Sequence, residues 1–409
     1  MIKFIHCADI HINRPFLRLK ANESLRQKLI ESSYSILDNI ILLAISKKVN
    51  LVIIAGDLLD TLEHTVKAEL RCRKAFEKLN EHDIPVYIIG GNHDPIKEEK
   101  VYPYPENVHV FSKNVESIPI TGFKDAYIHG ISYPTESVPK NLVKEFPMAK
   151  GDIDIGVLHC EVGRKLSGDY SPCTKDDLLS KNYQYWALGH IHKPTELSDF
   201  PAIVYSGSPM GKTPNETGKR GCYYVEVTSS RVKKEFIPLA DVIWLQQKID
   251  IQGLDYRGLM LSVKETLENL KREYNEKGVI VRVILTGRGY LHNIDKDDLK
   301  GITEELRSKV DCSHDFVWLE SIQKETLHDV NLQSLKQQQS FLGDFLNYCS
   351  EVEKDSKLQR EILDELSRGN AKLVNFLDKQ QIDMDVVFKQ GLQKAVDLVV
   401  EKVDYYEDN

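Results

Sequence analysis

Short apolar runs alternate with stretches of helical periodicity over the first 240 residues of the chain. Apolar runs that end at glycine or polar residues are typical of buried strands, and apolar positions at three- and four-residue spacing predict helices. Such alternation predicts an α/β domain in which helices cover a partly parallel sheet. The predicted strands lie at residues 3–6, 51–57, 84–91, 152–159, 183–190 and 202–208, and the two clearest helices at residues 25–46 and 67–80.

The remainder of the chain shows two further patterns. A strand, helix, strand, helix, strand order after residue 240 predicts a small α+β domain. Beyond it, apolar residues recur at helical spacing almost to the end of the chain, which predicts a helical tail. We therefore expect three parts, namely residues 1–240, 241–326 and 327–409.

Several predicted strands of the first part end at side chains that bind metals or act in catalysis. In an α/β sheet these strand ends deliver side chains to a common crevice. Residues i and i+2 of an extended segment point the same way, so Asp9 with His11, and His190 with His192, can face one cavity. In chain order the side chains are Asp9, His11, Asp57, Asp60, Asn92, His93, Asp94, His159, His190 and His192.

Each of these signals has a plain structural alternative. The "GGNHD" of residues 90–94 is ordinary turn chemistry, and a single histidine is more often a structural residue than a ligand. Together the signals predict a metal site, because seven potential ligands at strand ends are hard to attribute to coincidence. A mixture of carboxylate, amide and imidazole suits manganese, iron or zinc, and the lack of thiolate ligands argues against a structural zinc site.

Composition narrows the class of protein. A chain of 409 residues with 41% hydrophobic and 28% charged residues is expected to be soluble, and its longest apolar run is too short to span a membrane. The seven scattered cysteines argue against a disulfide framework and favour a cytoplasmic protein. The net charge of -8 offers no overall basic surface for nucleic acid, although a metal cluster supplies local positive charge that a residue count misses.

The strand-end motifs resemble those of the calcineurin-like metallophosphoesterase superfamily. Its pattern of Asp-x-His, Gly-Asp, Gly-Asn-His-Asp, His and Gly-His-x-His is matched in full. Within it, "FIHCADIHINRPF", "GHIHKP" and "YSGSP" look most like SbcD-type DNA exonucleases, especially their YhaO-like branch. The resemblance implies a layered α/β fold, a β-sandwich flanked by helices, with a small α+β capping domain and a helical C-terminal tail.

The resemblance also implies a site for two divalent metal ions, most simply Mn²⁺, that activate a hydroxide for attack on phosphorus. Asp57 would bridge the ions, and His93 would stabilise the transition state or protonate the leaving oxygen, oriented by Asp94. One ion would be bound by Asp9, His11, Asp57 and His192, and the other by Asp57, Asn92, His159 and His190.

Further polar residues near the motifs are less specific. Part of the family has a histidine where this chain has Asp60, which we interpret as a supporting or structural residue. Arg14 and Lys193 lie in loops where a phosphate backbone would pass, although loop cations are commonly only solvated. The same applies to Arg164, Lys165 and Lys212.

The favoured function is a metal-dependent DNA exonuclease, compatible with endonuclease activity, in DNA repair or recombination. The resemblance implies a partner, an SMC-like (SbcC-type) ATPase bound by the helical tail, and a homodimer. A small-molecule phosphatase or cyclic-nucleotide phosphodiesterase is an alternative, since the same metal centre serves those reactions. A non-catalytic metal-binding scaffold is a third, which the intact ligand set disfavours.

Overall fold

A computed structural model describes most of the chain. The described residues are 1–12, 21–60, 65–96, 104–163, 169–308, 310–312, 315–327, 332–368, 388, 391–392 and 394–400.

The first sheet has six strands, and four of them are parallel. It contains β1 (Ile2–Cys7), β2 (Leu51–Ala55), β3 (Val86–Ile89), β4 (Val108–Val110), β11 (Gly221–Val227) and β12 (Val232–Pro238), in the order β12-β11-β1-β2-β3-β4. Strands β1 to β4 run parallel, and β11 pairs antiparallel with β1. Helix α1 (Glu23–Lys47) connects β1 to β2, and α2 (Val66–Asn80) lies between β2 and β3. Their apolar faces share a buried core with one face of this sheet.

The second sheet also has six strands. It contains β5 (Glu116–Pro119), β6 (Ala126–Gly130), β7 (Ile153–His159), β8 (Tyr185–Gly189), β9 (Thr195–Asp199) and β10 (Ala202–Tyr205), in the order β5-β6-β7-β8-β10-β9. Its central strands are parallel and its edge strands antiparallel. A 3-10 helix (Leu142–Glu145) and α3 (Lys175–Leu179) lie between its strands in the chain. A second core unites Phe4 and Ile53 of the first sheet with Ile155 and Tyr185 of the second, so the two sheets form the β-sandwich that the resemblance implied.

The segment after the sandwich forms a three-stranded sheet. Its strands are β13 (Val242–Asp250), β14 (Gly278–Arg288) and β15 (Phe316–Leu327), in that order across the sheet, and its helices are α4 (Tyr256–Glu273) and α5 (Lys296–Arg307). This is the strand and helix order predicted from the periodicity. Further on, the chain forms α6 (Leu332–Lys336), α7 (Phe341–Lys354) and α8 (Ser356–Arg368), and residues 394–400 are also helical.

Residues 241–326 are divided between two compact units of the chain. Leu25 and Leu29 of α1 share a buried core with Trp244, Phe316 and Trp318, so part of the three-stranded sheet is packed with the sandwich domain. The chain divides into one unit of Met1–Gln247, Thr266–Arg282 and Thr303–Ser321 and another of Lys248–Glu265, Val283–Ile302 and Ile322–Asn409.

Helix α1 is long and apolar enough to cross a membrane, judged by length and composition alone. Its apolar residues are instead used in packing, since Ile36, Leu37, Ile40 and Ile41 are buried in the core against the first sheet. The helix therefore has the burial pattern of a core helix.

Candidate metal centre

The predicted ligands meet where parallel strands of both sheets end. Asp9 and His11 follow β1, Asp57 follows β2, and Asn92 lies three residues beyond the end of β3. From the second sheet, His159 is the last residue of β7, and His190 and His192 follow β8. All seven lie within one connected set of short contacts, as parallel strand ends predict.

The backbone that holds these residues is conformationally strained. Asp9, His11, Asp57 and His190 have φ of 52°, 48°, 54° and 97°, in the left-handed region that non-glycine residues rarely adopt. Backbone hydrogen bonds support them, because Asp9 N–H donates to the Gly56 carbonyl and His11 N–H to the Asp57 carbonyl. Such strain costs of order 1–3 kcal/mol per residue and is concentrated at functional sites.

One group of ligand atoms comprises Asp9, His11, Asp57 and His192. His11 Nε2 lies 3.3 Å from His192 Nε2 and 3.7 Å from Asp57 Oδ2. Ligand atoms of Asp9, His11 and His192 all lie within 4.8 Å of one another. The Asp9 carboxylate also accepts the His190 N–H at 3.1 Å, which fixes its orientation.

The other group comprises Asp57, Asn92, His159 and His190. Asn92 Oδ1 lies 3.0 Å from His159 Nε2 and 3.2 Å from His190 Nδ1, and Asp57 Oδ2 is 3.5 Å from His159 Nε2. The same oxygen of Asp57 therefore faces both groups, an arrangement that suits a carboxylate shared between two ions. The structure brings together both ligand sets that the resemblance implied.

The donor atoms fit divalent cations. His159 Nδ1 donates to the Ala55 carbonyl at 3.0 Å, so its Nε2 presents a lone pair to the Asp57 carboxylate. His192 Nδ1 donates to Glu216 Oε1 at 2.6 Å, so its Nε2 likewise presents a lone pair to His11. Converging lone pairs repel each other unless a cation lies between them. Donors at about 2.1 Å from one ion in tetrahedral or octahedral geometry are separated by about 3.0–3.4 Å, close to the distances found here.

The electrostatics of the site favour bound cations as well. Burial raises the pKa of Asp9 to about 7 and that of Asp57 to about 6, because buried carboxylates without a cation are poorly stabilised. Burial lowers the pKa of His159 to about 3, which keeps the imidazole neutral and able to bind a metal. Divalent cations would stabilise the ionised form of both carboxyl groups.

His93 is more exposed than most of the ligand histidines around it. Its side chain is 30% exposed, whereas those of His11 and His159 are buried. Its backbone N–H donates to Asp57 Oδ1 at 2.8 Å, and its ring lies edge-on to the His11 ring. Its ligand atom also lies within 4.8 Å of those of His11 and Asp57, so the ring borders the ligand groups and can reach a substrate.

Asp94, which the resemblance implied as the orienter of His93, binds backbone N–H groups, and its described hydrogen bonds do not include the His93 ring. The Asp94 carboxylate accepts hydrogen bonds from the backbone N–H groups of Asp57, Leu58, Leu59 and Gly91 at 2.7–3.2 Å. Burial and the neighbouring Asp57 raise the pKa of Asp94, and these N–H groups oppose that rise. Asp94 thus joins two loops of the site.

The carboxylate beside the His93 ring belongs to Asp60. Its Oδ2 is 3.5 Å from His93 Nδ1 and 4.0 Å from His11 Nδ1, and its side chain is nearly buried. This position fits the interpretation of Asp60 as a supporting residue.

The basic residues predicted to contact a substrate lie in different environments. Lys193 is exposed directly after His192, where it can meet a substrate. Lys212, by contrast, is buried and donates from Nζ to the His11 carbonyl at 2.5 Å. Arg14, Arg164 and Lys165 lie outside the described residues.

Residues that the strand-end motifs did not indicate also line the site. The Tyr170 ring lies 4.5 Å from the His190 ring, and the Tyr133 ring packs edge-on against His159. Glu216 binds the His192 ring, and Arg220 donates to the His192 carbonyl. These residues come from loops whose sequences carry no ligand spacing, so only the folded chain reveals them.

Comparison with known proteins agrees with this geometry. Residues 2–194 match the calcineurin-like phosphoesterase family, and residues 244–327 match the middle domain of metallophosphoesterase YhaO. The uncharacterized metallophosphoesterase YhaO of Bacillus subtilis (strain 168) is 33% identical over 345 residues, covering 82% of this chain and 84% of the relative. DNA double-strand break repair protein Mre11 of Thermoplasma acidophilum is 26% identical, covering 72% of this chain and 79% of the relative.

A solved dimetal phosphatase from Danio rerio aligns with 57% of this chain and 98% of its own, at 11% identity and a TM-score of 0.35. The ligand geometry, the family match over the sandwich domain and the relative of 33% identity agree with one another. The chain therefore belongs to the calcineurin-like metallophosphoesterase family, whose members bind divalent metals and hydrolyse phosphoesters.

Proposed function

We propose that this phosphoesterase hydrolyses phosphodiester bonds of DNA, as an exonuclease that uses manganese and acts in repair or recombination. The observation that carries the hydrolytic part is the pair of ligand groups sharing Asp57, with the partly exposed His93 beside them. DNA as substrate is supported by similarity to proteins described as Mre11 DNA double-strand break repair proteins over about 70% of the chain. Exposed Lys193 beside the site suits a phosphate backbone.

The side chains divide the work of the proposed reaction. When bound, two divalent ions supply positive charge for the phosphoryl oxygens and lower the pKa of water. Asp57 holds both ligand groups together. Asn92 contributes a neutral oxygen, so the net charge of the site is more positive than a carboxylate at this position would leave it. Because His93 Nδ1 lies beside the Asp60 carboxylate, Nε2 is the nitrogen left to meet the leaving oxygen and protonate it.

Nuclease assays with manganese test this proposal. The substrates are linear double-stranded DNA, single-stranded DNA and bis(p-nitrophenyl) phosphate, and the proteins are wild type, His93→Ala and His82→Ala. His82 is an exposed histidine at the end of α2 and serves as the matched control. We expect DNA degradation by wild type and His82→Ala, and a loss of about 10²-fold or more in His93→Ala.

Two outcomes would contradict the proposal, one of them the assignment of DNA as substrate and the other the role of His93. Turnover of the small ester with DNA left intact would favour a small-molecule phosphatase or cyclic-nucleotide phosphodiesterase. Equal DNA degradation by His93→Ala and wild type would remove the role assigned to His93.

We also propose that the helical tail binds an SMC-like ATPase. Helix α7 buries Leu342, Leu346 and Cys349 on one face, in a core shared with residues 396 and 400. A second face carries Phe341, which is 76% exposed, and Tyr348, which is 49% exposed. Exposed aromatic residues about two turns apart on one helix suit docking against a partner helix.

A pull-down with the ATPase tests the tail. The double variant Phe341→Ser and Tyr348→Ser is expected to lose binding, as is a chain lacking residues 330–409. Tyr290→Ser, which replaces a 74% exposed aromatic residue elsewhere, is the matched control and is expected to bind normally. Retention of the ATPase by the truncated chain would refute the proposal.

We also propose that the chain forms a homodimer. Large apolar side chains are exposed on α1 and α2, among them Ile30, Val66 and Leu70. A second copy of the chain would cover them. Analytical ultracentrifugation is expected to show a dimer that Leu70→Glu dissociates, and a wild-type monomer at all concentrations would exclude it.

A further inference from the structure

The segment of residues 206–220, which follows β10, holds the backbone of two predicted metal ligands. The His192 carbonyl accepts the Ser208 N–H at 3.0 Å and a hydrogen bond from the Arg220 guanidinium. The His11 carbonyl accepts a hydrogen bond from Lys212 Nζ at 2.5 Å. Ser208, Lys212 and Arg220 are all buried, so these contacts belong to the interior of the protein.

Glu216 in the same segment binds the His192 ring itself. Its Oε1 accepts from His192 Nδ1 at 2.6 Å, and its Oε2 accepts the Lys212 N–H at 2.5 Å. An ionised carboxylate can only accept hydrogen bonds, so the proton of His192 is held on Nδ1. The lone pair is thereby fixed on Nε2, the atom that faces His11 Nε2 at 3.3 Å.

In the other ligand group, His159 is supported by a backbone group. His159 Nδ1 donates to the Ala55 backbone carbonyl, which is part of strand β2. A carboxylate partner makes an imidazole a stronger donor to a metal than a carbonyl partner does. His192 and His159 are thus supported by different chemistry, and Glu216 contacts a ligand of one of the two groups.

We propose that Glu216 is a positioning residue that fixes His192 in its metal-binding tautomer, so that one of the two ion sites depends on the segment of residues 206–220. This role requires no contact between Glu216 and the substrate. It concerns the metal centre alone, so it can fail or hold independently of whether DNA is the substrate.

Manganese binding is the readout. Isothermal titration and Mn²⁺ paramagnetic resonance are recorded for wild type, Glu216→Gln and Glu216→Ala, with His192→Ala as the reference for a lost ligand. Glu226→Gln is the matched control, because Glu226 accepts a hydrogen bond from the Tyr224 hydroxyl on β11. We expect two ions per wild-type chain, and in both Glu216 variants a weakening of one site by about 10–100-fold with the other unchanged.

The resonance spectrum separates this role from a general structural one. At manganese concentrations that fill only the unaffected site, the Glu216 variants should show the signal of isolated ions where wild type shows coupled pairs. Unchanged affinity at both sites in Glu216→Ala would overturn the proposal. Equal weakening of both sites, or a large fall in the melting temperature of the variants in chelator, would overturn it as well.

Discussion

Asp94 holds together two loops of the metal centre. Its carboxylate accepts N–H groups from the loop that carries Asp57 and from Gly91, in front of Asn92. In the sequence it is adjacent to His93, and the family resemblance implied that it orients the His93 ring. Neighbouring residues can point in different directions, so adjacency alone could not identify the partner of His93, which is the more distant Asp60.

Replacement of Asp94 is expected to damage stability. Asp94→Ala leaves up to four backbone N–H groups without their acceptor, and each buried unsatisfied group costs about 1–3 kcal/mol. We expect the free energy of unfolding to fall by roughly 3 kcal/mol or more, together with loss of metal binding. Urea denaturation measures the change, with the exposed Asp152→Ala as control. Equal stability of the two variants would contradict the assigned role.

The affinity for manganese should rise with pH up to about 7. Because burial raises the pKa of Asp9 to about 7 and of Asp57 to about 6, protons compete with the metal until the pH exceeds these values. Ordinary aspartates would cease to compete above about pH 5. Titration calorimetry in buffers of different ionisation enthalpy measures both the affinity and the protons released.

In the metal-free protein, buried aspartates and buried histidines change the free energy of unfolding in opposite directions as the pH rises. Asp9 and Asp57 bind more protons when folded, so they lower the free energy of unfolding as the pH rises from about 4 to about 7. His6 and His159, whose pKa burial lowers to about 3, raise it as the pH rises from about 3 to about 6.5. Metal affinity is therefore the cleaner readout. An affinity for manganese that does not change between about pH 5 and about pH 8 would contradict the interpretation.

At the scale of elements, the apolar runs identify six strands of the two six-stranded sheets, whereas their four edge strands and the interior strands β6 and β11 were not predicted. Strands β1, β2, β3, β7, β8 and β10 coincide with predicted runs because they are buried on both faces. Strand β12 was missed because polar side chains alternate along it. That two sheets face each other depends on long-range packing, which came only from the family resemblance.

The turn after β3 contains two glycines, and at Gly91 a side chain would have no room beside the metal ligands. Neither Gly90 nor Gly91 has a positive φ. A Cβ atom on Gly91 would lie 2.3 Å from Asp57 Oδ1 and 2.9 Å from His159 Cε1, so a side chain there would collide with two ligands. The pair of glycines lets the backbone approach the metal centre closely.

Gly91→Ala is expected to weaken manganese binding by about tenfold or more, consistent with a packing strain of about 1–3 kcal/mol at the ligands. Gly301→Ala, at a helical position with open space around it, is the control. Calorimetric titration compares the two proteins. Normal manganese binding by Gly91→Ala would show that the close approach is unimportant.

At the scale of the whole molecule, the sequence predicted which residues meet and could not predict what supports them. The seven ligands have recognisable spacing at strand ends. Glu216 lies 24 residues beyond its partner His192 in an irregular loop, and no periodicity indicates the pairing. The extent of compact units was equally hidden, because α1 shares a core with residues of the three-stranded sheet far along the chain.

Diffraction from crystals soaked in manganese, recorded near the manganese absorption edge, tests whether the ligand groups hold two ions. We expect two anomalous peaks in each chain, one among Asp9, His11 and His192 and the other among Asn92, His159 and His190, with Asp57 contacting both. His93 should contact neither ion. A single peak, or a peak bound by His93 in place of a predicted ligand, would contradict the two-metal centre from which the proposed function follows.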